Sequence, residues 1–246
     1  MKNSDRSRKG FTLIELLTVI AIIGVLAAVL FPGVQGVMRS AKKNSALNKL
    51  RSIGQGYMNW SQGGRTMKLT GTWTAGGQVA TKVSEYAANL AIGASLDSGE
   101  LWFVEGDSVL DNNIISQMPK NVIQVNGVNT VVSPLFTTAL TEATTSSWTV
   151  YSPTSPGLSG SVVAPLAWTR GLTAAGTWSA ANGTASGSVW GNEGGHIVFG
   201  DGHVSWATNT LQDGKDYFTN RSTQAPTPDW RQSQGVPNGA TELPQQ

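Results

Sequence analysis

The sequence predicts an α+β fold in which a long N-terminal helix packs its second half on a small antiparallel β-sheet. Three observations carry this. Residues 11–31 are an almost unbroken apolar run. Beyond Pro32, apolar residues recur at helical spacing. After about residue 100 the pattern changes to short strand-like runs separated by turn residues.

The first element is FTLIELLTVIAIIGVLAAVLF, in which only Thr12, Glu15 and Thr18 have polar side chains. Twenty-one residues at the helical rise span roughly 31 Å, about the thickness of a hydrocarbon core. An acid inside such a helix costs about 2.5–3.5 kcal/mol on insertion scales, so Glu15 is expected to have a partner or a task. If the chain were cut between Gly10 and Phe11, Phe11 would carry a free amine. It lies four residues from Glu15, on the same helix face. A general signal peptide explains the run less well, because its apolar region is about 7–15 residues and ends at a small-residue cleavage site. A bare anchor explains the length but not Glu15.

Pro32 removes the bond to the Ala28 carbonyl and Gly33 is a poor helix former, so the helix is expected to continue past them with a kink at Pro32. Ala46, Leu50, Ile53, Tyr57 and Trp60 then follow at spacings of four, three, four and three. That stripe reads as the packing face for a globular domain. Gly63-Gly64 ends it.

Residues 65–80 read as a Gly- and Thr-rich loop. KVSEYAANLAIGASL, residues 82–96, predicts a second helix with Val83, Tyr86, Ala87, Leu90 and Ala91 on one face. Residues 101–104 read as a strand, and residues 122–132 as a hairpin turning at Asn126-Gly127. Residues 148–151 and 162–169 are further strands. From Arg221 the Pro- and Gln-rich sequence predicts a loose tail. The expected organisation is a leader at 1–10, a transmembrane helix at 11–31, its amphipathic continuation at 32–62, a globular α+β domain at 63–220 and a flexible tail at 221–246.

GGHIVFGDGHVSW, residues 194–206, holds both histidines of the chain and Asp201. The pattern invites a metal site, but a two-residue turn at Asp201-Gly202 would pair Gly200 with His203, Phe199 with Val204 and Ile197 with Trp206. All four large apolar residues then share one face and both histidines lie on the polar one. His196 and His203 come out roughly 13 Å apart, too far to share an ion. Further along, Asp213 and Asp216 in LQDGKDY are candidate calcium ligands or a solvated turn. Nine tryptophans spread singly along the chain read as core positions more readily than as a carbohydrate site.

The chain has 17 basic and 15 acidic residues. Four of the bases and one acid lie in residues 1–10, so the remainder is near neutral and does not read as a nucleic-acid-binding surface. Without cysteine, disulfides and thiolate chemistry are excluded. No nucleophile–base pair and no phosphate loop emerges, so an enzyme is not expected. Lys2, Arg6, Arg8 and Lys9 precede the apolar run, and Arg39, Lys42, Lys43 and Lys49 follow it. The charge rule therefore barely decides orientation, although three of the leader charges lie within five residues of Phe11.

The basic leader, Gly10, Phe11, Glu15, the apolar helix and Pro32 together resemble the N-terminus of type IV prepilins and type II secretion pseudopilins. The resemblance covers about 35 of the 246 residues. It implies a pilin-like fold, cleavage after Gly10 by a dedicated prepilin peptidase, methylation of the new N-terminal Phe11, and a role for Glu15 in registering subunits in a filament. It implies as partners other copies or other subunits, the peptidase, an inner-membrane assembly platform and the membrane itself. The leader would lie in the cytoplasm and the globular part in the periplasm, or outside the cell in a pilus. No cofactor is implied apart from calcium, which major pseudopilins of type II secretion bind. The aromatic-x-DG-x-V pattern at residues 199–204 more loosely resembles the C-terminal hairpin of large pseudopilin-like proteins of environmental bacteria. Two other readings stay open: a minor tip pilin, and a membrane-anchored exported binding domain that never polymerises.

Overall fold

The computed structural model describes residues 12–62, 64–68, 71–112, 117–142, 147–150, 165–173, 176–180, 187–208, 218–220, 222–229 and 232. It shows an α+β chain whose helix α1 runs from Leu13 to Trp60 with Pro32 inside it. Two units separate at Lys43 and Asn44. In the first, the helix is apolar and its large side chains are exposed. The second holds the core.

The stripe read from spacing is the buried face of the second unit's part of α1. Ala46, Leu50 and Ile53 are fully buried, and Tyr57 and Trp60 nearly so. Helix α2, Val83–Ala94, buries Val83, Tyr86, Ala87, Leu90 and Ala91 against the same core. Glu85 accepts from the Thr81 N–H (2.7 Å) and hydroxyl (2.8 Å), tying the residue before the N-cap Lys82 to the first turn. Ser95 ends it in the left-handed region (φ 57°).

The main sheet is antiparallel in the order β3-β4-β5-β6, formed by Trp148–Val150, Pro165–Thr169, Gly195–Phe199 and Val204–Ala207. Both faces are covered. Val198, Val204 and Trp206 join the core with α1 and α2. Trp168, Ile197, Phe199 and Ala207 form a second cluster with Leu172, Trp178 and Phe218. Helix and sheet approach closely where Gly54 meets β5, since a Cβ there would overlap Val198.

Several expectations change. Residues 101–104 are not a strand: Gly99–Trp102 is a 3₁₀ turn, although Leu101 to Val104 are buried. Three of their backbone groups are taken by side chains, and others close turns with Ser98, Glu100 and Asp107. The Leu101 carbonyl accepts from Trp148 Nε1 (2.8 Å), the Phe103 carbonyl from Lys49 Nζ (2.7 Å), and the Val104 N–H donates to Ser147 Oγ (3.0 Å). Little is left for a ladder, and an apolar run alone does not distinguish the two cases. Half-burial pulls the Lys49 ammonium below its ordinary pKa, against the attraction of Glu105 and Glu100.

The 122–132 hairpin exists, but β1 (Ile123–Asn126) pairs Asn126 with Asn129 of β2 (Asn129–Val132). The turn is therefore Gly127-Val128, one residue later than expected. Gly127 takes the positive φ (64°) and Val128 does not, the arrangement of a turn with glycine at its first central position. Helix α3, Ser108–Asn112, and helix α4, Pro134–Glu142, were not anticipated. Within the stretch expected to be a loose tail, β8 (Pro226–Thr227) pairs with β7 (Phe218–Thr219).

Candidate functional site

Helix α1 begins with a reciprocal cap. The Thr12 N–H and hydroxyl both donate to Glu15 Oε2 (2.8 and 2.7 Å), and the Glu15 N–H donates back to Thr12 Oγ1 (3.3 Å). This is the Thr-x-x-Glu capping box, which satisfies orphan donors at both residues. Its signal is present in the sequence as Thr12-x-x-Glu15. Gly10 and Phe11 lie outside the described residues. After the cap, every large apolar side chain from Leu13 to Met38 that is exposed is heavily so, from 46% at Val19 to 81% at Leu13. In water that surface would be costly at about 25 cal/mol per Å². The helix is long and apolar enough to cross a bilayer.

The histidine hairpin departs from its expected register. His196 pairs with Trp206 and Val198 with Val204, and the Phe199 N–H donates to the His203 carbonyl (3.0 Å). The loop is Gly200-Asp201-Gly202, three residues, with a bond from the Gly202 N–H to the Phe199 carbonyl (2.9 Å) and Gly202 at φ 86°. The expected register assumed one polar face; β5 is an inner strand buried on both, so that segregation does not govern it. His196 is accordingly buried, edge-on to Trp206 with ring centroids 4.7 Å apart. His203 stacks on Phe199 (4.4 Å) on the other face. The two histidines thus point to opposite faces, and no cluster of three metal-ligating residues occurs among the described residues. Asp213 and Asp216 lie outside them.

Asp201 accepts from the His203 N–H (3.1 Å) and pairs with its Nδ1 (2.6 Å). Partial burial raises the Asp201 pKa, but the bonds and charge of His203 outweigh that and the net shift is downward. The pair therefore stabilises the turn above the usual carboxylate range, and that contribution is lost as pH falls through the lowered value. Exposure keeps it small. Gly202→Val is expected to cost about 1 kcal/mol or more, because a β-branched residue resists positive φ. His203→Ala should cost less than about 0.5 kcal/mol. Thermal unfolding of residues 36–246 checks both, and equal losses would contradict the turn assignment.

Among the described residues, Asp107 and Arg170 form a buried ionic pair that no local sequence pattern signals. Arg170 donates to both oxygens of Asp107 (3.0 and 2.7 Å) and through Nε to the Gly187 carbonyl (2.9 Å). Ser147 Oγ donates to Asp107 Oδ2 (2.8 Å), and the Val109 N–H to Oδ1 (3.1 Å). This joins the start of α3 to the ends of β3 and β4. These bonds make it a structural staple.

Residues 5–31 match the family model described as the prokaryotic N-terminal methylation motif. The chain is similar to the fimbrial protein EcpC of Eikenella corrodens, 51% identical over 41 residues, 17% of this chain and 27% of that protein. It is similar to type II secretion system core protein G of Escherichia coli strain K12, 42% identical over 53 residues, 22% of this chain and 36% of that protein. A fimbrial protein of Moraxella nonliquefaciens is 41% identical over 59 residues, 24% of this chain and 38% of that protein. The chain thus spans well under half the length of these relatives. No solved structure matches it. Residues 5–31 therefore match the prokaryotic N-terminal methylation motif, and the similarity to these fimbrial and type II secretion proteins extends over 41 to 59 residues of the chain.

Proposed function

We propose that this chain is a structural subunit of a type IV pilus or a type II secretion pseudopilus. It is cut by a prepilin peptidase between Gly10 and Phe11, methylated on Phe11, and assembled through α1 with other subunits on an inner-membrane platform. In this reading the leader is cytoplasmic and the globular unit periplasmic. Pro32 marks the place where the helix bends as it leaves the membrane, and the chain performs no catalysis. The observation that carries the proposal is the methylation motif placed directly on a capped helix whose large apolar side chains, Leu13 to Met38, are exposed. A bilayer covers such a helix before assembly, and neighbouring copies of it can do so afterwards.

Glu15 is assigned a charge-dependent role in assembly beyond its cap. Glutamine at the third helical position still serves a capping box, so Glu15→Gln separates the two roles. Both Glu15→Ala and Glu15→Gln are expected to be cleaved and inserted normally. Both should lower the yield of sheared, pelletable filaments at least about tenfold, the factor that 1.4 kcal/mol gives. Normal filaments from Glu15→Gln would reduce Glu15 to a helix cap. Cleaved, inserted parent protein that never pellets would favour the anchored binding domain.

A further inference from the structure

The near-neutral charge hides a segregation along the chain. From Leu16 to Ser84 there are eight basic residues and no acid, while from Glu85 onward there are thirteen acids and five bases. The first three of the eight, Arg39, Lys42 and Lys43, follow immediately on Val37 and Met38, the last exposed large apolar residues of α1. At positions i, i+3 and i+4 they share one helix face. Of the next two, Lys49 commits its ammonium to the carbonyls of Glu100 and Phe103, and Arg51 lies beyond the division at Lys43 and Asn44.

We propose that Arg39, Lys42 and Lys43 form a binding site for anionic phospholipid headgroups in the leaflet where α1 leaves the bilayer. This rests on the membrane placement of α1 proposed above. The length of the helix selects lipid over other anions. Leu13 to Met38 is 26 residues, about 39 Å at the helical rise, against about 30 Å of hydrocarbon and about 40–45 Å with headgroups. With the capped end at one interface, the three cations emerge in or at the edge of the opposite headgroup layer. Each cation near an anionic surface favours it by about fivefold. The leader cations lie at the other interface and depart with the leader. The three residues are then the first cations flanking the apolar run, and they set the depth at which an unassembled subunit is held.

The test is boundary-lipid selectivity of the full chain, reconstituted in phosphatidylcholine bilayers containing a minority of phosphatidylglycerol. Spin-labelled phosphatidylglycerol and phosphatidylcholine report the relative association of each with the protein. The parent should favour phosphatidylglycerol by about three- to fivefold, less at high salt. Compared in a chain whose four leader cations are also replaced by Gln, the triple variant Arg39→Gln, Lys42→Gln, Lys43→Gln should lose most of the preference that remains. A leader variant with Lys2, Arg6, Arg8 and Lys9 replaced by Gln should keep much of the parent's preference. Undiminished preference in the triple variant overturns the proposal, as does its complete loss in the leader variant alone. A triple variant that keeps the preference but no longer forms filaments would overturn it too and assign the cations to contacts between subunits. Absence of any motionally restricted lipid around the parent would instead sink the membrane placement itself, a separate failure from that of the lipid site.

Discussion

Arg170→Ala is expected to destabilise the globular unit by about 3–5 kcal/mol, because it leaves the Asp107 carboxylate buried without its cation. Asp107 and Arg170 are 1% and 3% exposed. The pair is bidentate, and its remaining valences go to Ser147, Val109 and Gly187. Asp107→Ala should cost a similar amount, since a guanidinium is then stranded. The double replacement Asp107→Leu, Arg170→Met should cost much less than the sum of the singles, because removing both charges removes the desolvation penalty. Urea unfolding of residues 36–246 measures this as a shift in midpoint at constant slope. A loss below about 1 kcal/mol for either single variant would mean that water reaches the pair.

Gly194→Val should be comparably damaging. Gly194 sits at φ 121°, just before β5, and a Cβ there would overlap the backbone carbonyl of Ala207 at the end of β6. Backbone strain at such a φ contributes about 1–3 kcal/mol and overpacking a similar amount, so at least about 3 kcal/mol is expected. The obstacle is main chain, which has no rotamer to give way. Gly36→Ala, where nothing lies within 4 Å of the added carbon, should be neutral or slightly stabilising through helix propensity. Unfolding midpoints of the two variants compare them directly, and a Gly194→Val protein as stable as the parent would show that the β5–β6 end can open.

The two longest helices, α1 and α2, were legible because their signal is periodic. The stripe from Ala46 to Trp60 and the face of α2 were read by position and are buried as read. What the sequence concealed depends on pairing. The hairpin at residues 195–207 was placed in a register that segregates apolar from polar, and that criterion fails for a strand covered on both faces. Residues 101–104 have the composition of a strand, but Trp148, Lys49 and Ser147 take three of their backbone groups from 47, 54 and 43 residues away. Asp107 and Arg170 are 63 residues apart and show no local motif. Two features were legible and went unread. Ser133-Pro134 marks the start of α4, since proline suits the first helical position, and Thr12-x-x-Glu15 spells the capping box. At the N-terminal site the motif was readable because its residues act through fixed spacing in one helix, which no tertiary contact can shift.

The central claim is that the chain is a processed filament subunit, and the intact mass of its membrane form tests that most directly. In cells with an active prepilin peptidase, the predicted species begins at Phe11 and carries one N-methyl group. A form that still begins at Met1, or one that is cut after the apolar run, would contradict it.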